Sequence, residues 1–379
     1  MKSKIISISF IAVLFIMLIL NIFKAPDEFS VSERRRLAQF PEMKLSTVLN
    51  GKFMEGFDNF AVDQAVFREP FRQVKAFINL NILRKLDNNN IFIADGMVFK
   101  QDYPLNERSV LRLCGIINAV HLRYLGEASN VWYTIVPDKN AYLENSKYLV
   151  LDYGKMEALI RQSLSEGMPY LSIFDDLSLE SYFRTDIHWR QEMLLPVSGT
   201  LAAEMGVEIN NKPFSEEHFD AFFGAYYGQS ALNIEPDSLV WLVSDTTKNA
   251  IITNIEKPGQ QFPMYDLSQL GAVDPYSIFM CGPTAIVTAV NPDNVSGRKL
   301  IMFRDSFASA LAPLLLDAYS EITLVDLRYI NPDVLGDVLD FSGADILFIY
   351  SGGLFNTSDS VRGVSEDFIS PFGARSRIK

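Results

Sequence analysis

Three residues whose side chains together support nucleophilic acyl chemistry lie in two short segments of the chain. Ser306 follows the apolar run 299–303, and Asp186 and His188 lie well upstream in the segment 185–189. A serine hydroxyl becomes a strong nucleophile when a histidine takes its proton and a carboxylate orients that histidine. The sequence therefore predicts a triad of Ser306, His188 and Asp186.

The chain has only three histidines, and the other two are weaker candidates for the base than His188. His121 falls on the apolar face of a predicted helix, where a core histidine is the ordinary interpretation. His218 stands in an acidic segment typical of a solvated helix start. No second histidine lies at ligand spacing from His188, so no metal site is predicted.

The position of Ser306 at the end of a predicted strand favours a functional role. In parallel α/β sheets, sites form at the carboxyl ends of the strands, and a helix that starts within two residues offers backbone N–H groups to a developing oxyanion. The alternative is that Asp305 or Ser306 only caps that helix. Asp186 and His188, at i and i+2, meet on an irregular loop rather than on a helix face; Trp189 could wall the pocket. The alternative here is an ordinary surface loop.

Helix and strand signals alternate along most of the chain, which predicts an α/β fold with a parallel sheet flanked by helices. The strands are expected at 131–136, 170–174, 299–303, 322–325 and 346–350. The helices are expected at 106–126, 153–166, 190–206, 307–319 and near 331–340. Short β-type runs over about 239–290 indicate a β-rich insertion, Asp95-Gly96 predicts a hairpin turn within 91–99, and the tail after Gly352 reads as a loop.

The N-terminus carries an apolar segment over residues 5–23, just long enough to cross a bilayer. An uncleaved transmembrane anchor is favoured over a cleaved signal peptide, because the exit of the segment lacks small residues at a cleavage site. Lys2 and Lys4 place residues 1–4 in the cytoplasm, although the basic run 34–36 opposes that orientation. The main domain is then extracytoplasmic on a single-pass anchor in the cell membrane. Residues 24–50 look like an extended stalk, and 53–78 look like one or two amphipathic helices. Together these make a region 24–85, and the main domain is expected over 86–379.

Composition narrows the range of partners. The formal net charge is −12 and no long basic run occurs, which argues against nucleic acid. Cys114 and Cys281 both stand in apolar runs, so buried thiols are favoured over a disulfide bond.

The candidate residues resemble those of a known family. The segments 185–189 and 303–307 are similar to motifs of the SGNH-like acyltransferases of the alginate O-acetyltransferase type (AlgX- and AlgJ-like), and more closely to those of the bacterial DHHW proteins. Weaker support comes from 53–68, 136–139 and 326–329. The order, with Asp-x-His before the serine, is that of this family and is permuted relative to ordinary SGNH hydrolases. The chain departs from the pattern at Ile187, where the motif has its first histidine, and at Arg304, where glycine is usual.

The resemblance implies an SGNH-hydrolase-like fold and a Ser-His-Asp O-acyltransferase that needs no cofactor. Its partners would be a multi-span membrane-bound O-acyltransferase as acetyl donor and a cell-wall or secreted polysaccharide as acceptor. Secondary candidates for oxyanion or substrate contacts are Arg304, Tyr329, Gly352, Asn356 and Lys139. Two alternatives stay open: a carbohydrate acetyl esterase with the same triad, and a catalytically silent scaffold or binding protein of the cell envelope.

Overall fold

The computed structural model describes residues 2–126, 130–143, 147–209, 213–232 and 234–361, and these divide into two compact units. The first unit takes the described residues of 1–92 and 225–235, and the second takes the described residues of 93–224 and of the chain from 236 onward.

The first unit begins with one helix that is long and apolar enough, over Lys4–Phe23, to be a membrane anchor or a signal sequence. Its elements up to Phe92 are α1 (Lys2–Phe23), β1 (Phe29–Ser30), β2 (Arg35–Arg36), α2 (Leu45–Leu49), α3 (Lys52–Asp63), α4 (Arg68–Phe77) and a π-helix (Ile78–Ile82). Helices α3 and α4 cover most of the residues 53–78, over which amphipathic helices were predicted.

The segment 24–50, expected as an extended stalk, is folded. Strands β1 and β2 pair as an antiparallel hairpin, and the Asp63 carboxylate accepts two hydrogen bonds from the Arg35 guanidinium at 2.6 and 2.7 Å. The ring of Phe40 packs edge-on against Phe60 on α3, with centroids 5.4 Å apart. These contacts explain why the stalk prediction was wrong: its aromatic and charged residues have partners on α3.

The remaining elements, in chain order, are mostly in the second unit. They are β3 (Ile91–Ala94), β4 (Met97–Lys100), α5 (Glu107–Val120), β5 (Val131–Val136), α6 (Tyr153–Ser163), α7 (Leu195–Glu204), β6 (Ser215–Phe222), α8 (Ala225–Ser230, in the first unit), β7 (Asp237–Val243), α9 (Asp245–Asn249), β8 (Ile251–Asn254), β9 (Gln261–Phe262), β10 (Ile286–Val290), β11 (Lys299–Arg304), α10 (Ala308–Leu315), β12 (Glu321–Val325), α11 (Leu335–Val338), β13 (Ala344–Ser351) and α12 (Gly352–Asn356).

The central sheet is mixed rather than parallel. Its order within the described chain is β5-β13-β11-β12-β10-β8-β9. The first four strands are mutually parallel, whereas β10 pairs antiparallel with both β12 and β8, and β8 with β9. Strands β8 and β9 are joined by a link too short for the crossover that parallel neighbours need. Strands β8, β9 and β10 thus extend the sheet, whereas the run 278–281 is not a strand and β7 pairs with β6 in a separate two-stranded sheet.

Helices cover the parallel strands. Ile301, Phe303, Ile346 and Phe348 belong to one apolar cluster with residues of α5 and α6. Leu300 and Met302, which alternate with them along β11, are also fully buried. A strand buried on both faces is what a sheet flanked by helices requires.

Several predicted element boundaries were wrong. The strand expected at 170–174 is a single bridge from Tyr170 to Tyr133. The helix expected over 190–206 is α7 alone, because Pro196 sits in its first turn and proline is tolerated there and not in a helix interior. His218 lies on strand β6, not at a helix start, and the chain after Ser351 continues into α12 rather than a loop. The Asp95-Gly96 turn is confirmed, with φ of 47° and 73°.

Candidate active site

The carboxyl end of β11 carries Ser306 in a turn fixed by its neighbour Asp305. The Asp305 carboxylate accepts hydrogen bonds from the backbone N–H of Phe307 at 3.2 Å and of Ser351 at 2.8 Å. The capping function that the sequence left open therefore belongs to Asp305. Ser306 is half-buried, and its hydroxyl bonds to another side chain.

The hydroxyl of Ser306 meets the imidazole of His188, which in turn meets Asp186. Ser306 Oγ lies 2.7 Å from His188 Nε2, and His188 Nδ1 lies 2.6 Å from Asp186 Oδ1. The backbone N–H of His188 donates to the same carboxylate oxygen at 3.0 Å. A carboxylate at Nδ1 holds the proton there and leaves Nε2 free to accept the serine proton. Since Asp186 is fully buried and His188 is 8% exposed, the geometry of the pair is shielded from water.

The loop that carries Asp186 and His188 is closed at its base and tied to the serine turn. Tyr182 pairs with Trp189 in an antiparallel bridge, and the indole N–H of Trp189 donates to the carbonyl of Phe307 at 2.9 Å. Trp189 is fully buried. It joins the two segments of the site and does not wall an open pocket.

Two buried charged residues hold the backbone of this loop. Lys139 Nζ donates to the carbonyls of Phe183 at 2.9 Å, Arg184 at 3.2 Å and Asp186 at 2.9 Å. Asp237 accepts from the N–H groups of Arg184 and Thr185, each at 2.9 Å, and from the Thr185 hydroxyl at 2.6 Å. Burial lowers the pKa of Lys139 to about 7, against the opposing effect of the nearby carboxylates of Asp186 and Asp237. Lys139, predicted as an oxyanion or substrate contact, is instead directed at the loop.

Aromatic rings and a glycine complete the surroundings of the triad. The ring of Tyr276 stacks on His188 with centroids 3.9 Å apart and an interplanar angle of 6°, and Phe307 lies 5.0 Å away on a tilt. A Cβ added at Gly224 would overlap Asp186 Cβ and the carbonyl of Thr185. The close approach of Gly224 to the loop therefore requires glycine.

The remaining predicted site residues have other contacts. The Arg304 guanidinium is buried and faces the carbonyl of Gly282 at 3.3 Å and Asp326 Oδ2 at 3.5 Å. Tyr329 is 54% exposed, with the Arg328 guanidinium 5.6 Å from its ring centroid.

Gly352 and Asn356 are packing residues. A Cβ at Gly352 would come within 2.7 Å of the Tyr153 ring. Asn356 accepts from the N–H of Asn106 at 2.6 Å and donates to the carbonyls of Asp102 and Pro104. The amide of Asn356 is fully engaged in holding that neighbouring loop, so the prediction that it donates to an oxyanion was wrong.

A buried acid, Asp138, was not predicted as a site residue. It follows β5, at the same edge of the sheet as Ser306, and is 5% exposed. The Tyr153 hydroxyl donates to its Oδ2 at 2.8 Å, and within the described residues its Oδ1 has no hydrogen-bond partner. Burial, and then the charge of Asp102, raises the pKa of Asp138 to about 7. Its place after a parallel strand was the signal that could have identified it.

The other histidines and the cysteines lie elsewhere. His121 is half-buried in the π-helix that continues α5, where burial lowers its pKa. His218 is exposed. Cys114 is a buried free thiol, and Cys281 is a free thiol that is only partly buried.

The chain is similar to one protein family and to several solved structures. Residues 136–325 match the family model described as DHHW protein. A DHHW family protein from Eubacterium siraeum is 22% identical, with a TM-score of 0.61 over 74% of this chain and 98% of that one. PatB1 of Bacillus cereus, in a structure with a sulfonyl adduct, is 13% identical, with a TM-score of 0.58 over 73% of this chain and 98% of that one.

A third similar structure is the O-acetyltransferase domain of AlgJ from Pseudomonas putida. It is 11% identical, with a TM-score of 0.45 over 76% of this chain and 98% of that one. No curated protein matches the chain. At identities this low, the likeness to the Eubacterium and Bacillus proteins concerns the fold.

Proposed function

This chain belongs to the DHHW protein family, and we propose that it is a membrane-anchored O-acetyltransferase that acts outside the cytoplasm on a cell-wall or secreted polysaccharide. The observation that carries the proposal is the continuous chain of hydrogen bonds from Ser306 Oγ through His188 to Asp186. That arrangement fits an acyl-serine mechanism, and Ser306 is not needed as a cap, because Asp305 already caps the turn.

The proposed reaction has two displacements at one acyl carbon. His188 Nε2 takes the proton of Ser306 as Oγ attacks the carbonyl carbon of an acetyl donor, and the donor's leaving group departs with that proton. The acetyl group is then an ester on Ser306. A sugar hydroxyl attacks this ester, gives its proton to His188, and leaves as the acetylated product while Ser306 recovers its hydrogen.

The donor and the acceptor are inferred from the family resemblance. A multi-span membrane-bound O-acyltransferase would present acetyl groups on the outer side of the membrane. Retention of the helix Lys4–Phe23 as an anchor would keep the Ser306 domain close to such a donor and raise its effective concentration. Lys2 and Lys4 favour a cytoplasmic N-terminus, which puts the site on the other side.

The test supplies purified full-length protein in detergent with an activated acetyl ester, with and without an oligosaccharide. Acetylated oligosaccharide, detected by mass spectrometry, is expected with the wild type and not with Ser306→Ala or His188→Ala, while all three melt at similar temperatures. Release of acetate alone, whatever sugar is present, would indicate an esterase. Equal turnover by all three proteins would leave the site without a catalytic role, and no product above the protein-free background from any of them would favour a scaffold.

A sulfonylating reagent gives a second readout that needs no acceptor. PatB1 carries a sulfonyl adduct in one of its structures, and sulfonyl fluorides modify activated serine hydroxyls. If Ser306 is activated by His188, the reagent should modify Ser306 in the wild type much faster than in His188→Ala.

A further inference from the structure

Helix α4 and the π-helix that follows it carry an apolar stripe that points outward. The stripe begins at Phe67, the residue that precedes α4. It continues with Phe71, Val74, Ile78 and Ile82, whose spacing by three or four places them on one face of the helices. Their exposed fractions are 61%, 51%, 54%, 38% and 62%, in that order. A contiguous row of large apolar side chains in water marks an interaction surface.

The opposite face of the same helix is the one that packs inside the first unit. Ala76 is fully buried. The Arg72 guanidinium donates to the carbonyl of Gly228 at 2.7 Å and to the Glu69 carboxylate at 2.7 Å. Because these contacts fix the rotation of α4, the apolar stripe is held outward and cannot turn into the core.

The start of the stripe is bonded to the exit of the N-terminal helix. The backbone N–H of Val66 donates to Asn21 Oδ1 at 3.0 Å. Just beyond that helix, Asp27 and Gln64 exchange two hydrogen bonds of 2.8 Å. Asn21 lies two residues before the end of α1, so if α1 spans the bilayer, Phe67 sits where the chain leaves the hydrocarbon.

We propose that the apolar stripe binds the phospholipid surface of the membrane that holds the anchor. The inference rests on the retained anchor proposed above and not on the chemistry of Ser306. The row spans about 22 Å along the helix, and a helix of this kind lies in the interface with its apolar side chains among the acyl chains. Arg84 and Lys85, both exposed just after the stripe, suit anionic headgroups.

Lipid is favoured over a second protein because of continuity with the anchor. Helix α1 is apolar along Lys4–Phe23 and none of it is buried within the chain. The hydrogen bond from Val66 to Asn21 holds the start of the stripe at the end of the anchor, where a lipid surface that surrounds the anchor is within reach of both.

The test is quenching of site-specific labels in vesicles of phosphatidylcholine and phosphatidylglycerol that hold the full chain. An environment-sensitive fluorophore is attached to a single cysteine at position 71 or 74, in a Cys114→Ala, Cys281→Ser background checked by thermal melting. Gln73, exposed and about 160° round the helix from Phe71, is the matched control, and Leu14 reports the anchor. If the cysteine-free background does not fold, Phe71→Trp with brominated lipid replaces it, with the wild-type signal subtracted.

Labels at 71 and 74 should lose most of their emission to lipids spin-labelled near the headgroup, whereas the label at 73 should keep it. The label at 14 lies near the bilayer centre, so it is read with lipids spin-labelled near the end of the acyl chain. Quenching at 14 with no more quenching at 71 than at 73 would overturn the inference and leave the anchor intact. A blue-shifted but unquenched label at 71 would also overturn it, since a second protein copy would then cover the stripe. No quenching at 14 would show that α1 is not in the bilayer and would also overturn the inference. The acetyl-transfer assay would still test Ser306 independently.

Discussion

The phenol ring of Tyr276 lies flat on the imidazole of His188, with centroids 3.9 Å apart and planes within 6° of parallel. This contact fixes the plane of the ring in which one nitrogen meets Asp186 and the other meets Ser306. A base held in this way loses little conformational freedom when it reacts.

Replacing Tyr276 with leucine should impair the reaction more than it impairs folding. Tyr276→Leu removes the stack, and aromatic stacking is worth roughly 1 kcal/mol, so kcat for acetyl transfer should fall about fivefold. Tyr276→Phe keeps the ring and should stay within about twofold of the wild type. Steady-state kinetics on the two variants checks this. Equal losses in both would mean that the hydroxyl, not the stack, matters.

Replacing Asp186 with asparagine should remove the orientation of His188. The amide cannot stabilise the imidazolium, and it can present a donor to Nδ1, so kcat should fall on the order of 10³-fold or more. Asp220→Asn, at a carboxylate whose side chain is 74% exposed, is the control and should change nothing. An active Asp186→Asn enzyme would contradict the assigned role.

Lys139 is expected to act as a positioning residue for the loop. Lys139→Met leaves three carbonyls without their donor, which should lower the free energy of unfolding by about 2–4 kcal/mol. It should also lower kcat on the order of 10-fold to 100-fold with little change in KM, because the Lys139 side chain is buried and directed at the loop. Lys147→Met, at an exposed lysine, should be neutral in denaturant titration and kinetics. An unchanged kcat in a destabilised Lys139→Met protein would limit Lys139 to stability.

Asp138 should make stability depend on pH. Its pKa is raised from 3.8 to about 7 by burial, so the folded protein binds a proton that the unfolded chain has released. The stabilisation is complete below about pH 4 and is lost as the pH rises to about 7, by up to about 4 kcal/mol. The groups that act on it are Asp102, Tyr153, Asp305 and Lys100.

Asp138→Asn removes this titration, because an amide stays neutral. Between about pH 4 and pH 7, the unfolding free energy of the variant should fall less than that of the wild type, and at neutral pH the variant should be the more stable protein. Chemical denaturation at both pH values measures the difference. Lys139, whose pKa is lowered to about 7, titrates at the upper end of this window, but it is present in both proteins and so contributes to both profiles. Parallel pH profiles for the two proteins would count against a protonated Asp138.

The proximity of Ser306, His188 and Asp186 could be predicted from the sequence, because their residue types and their order along the chain are local signals. The sequence was not sufficient to predict the groups that hold them. Tyr276 lies in a short 3₁₀ turn, Pro275–Ile278, and reaches His188 only through tertiary packing. Lys139 was a candidate because it follows β5, but the direction of its side chain depends on the path of the loop 183–186, which the sequence does not indicate. The antiparallel strands of the mixed sheet were not predicted for a similar reason, since a sequence pattern indicates a strand but not the strand with which it pairs.

Ser306 is proposed to carry the acetyl group between donor and acceptor. To test this, the full-length protein is mixed with an activated acetyl ester, the reaction is stopped with acid, and the acetyl group is mapped by peptide mass spectrometry. We expect one acetyl group on the peptide that contains Ser306, its absence in His188→Ala, and its transfer to an oligosaccharide added before the acid. Turnover with no acetyl group on Ser306, or with the group on another residue, would rule out Ser306 as the carrier.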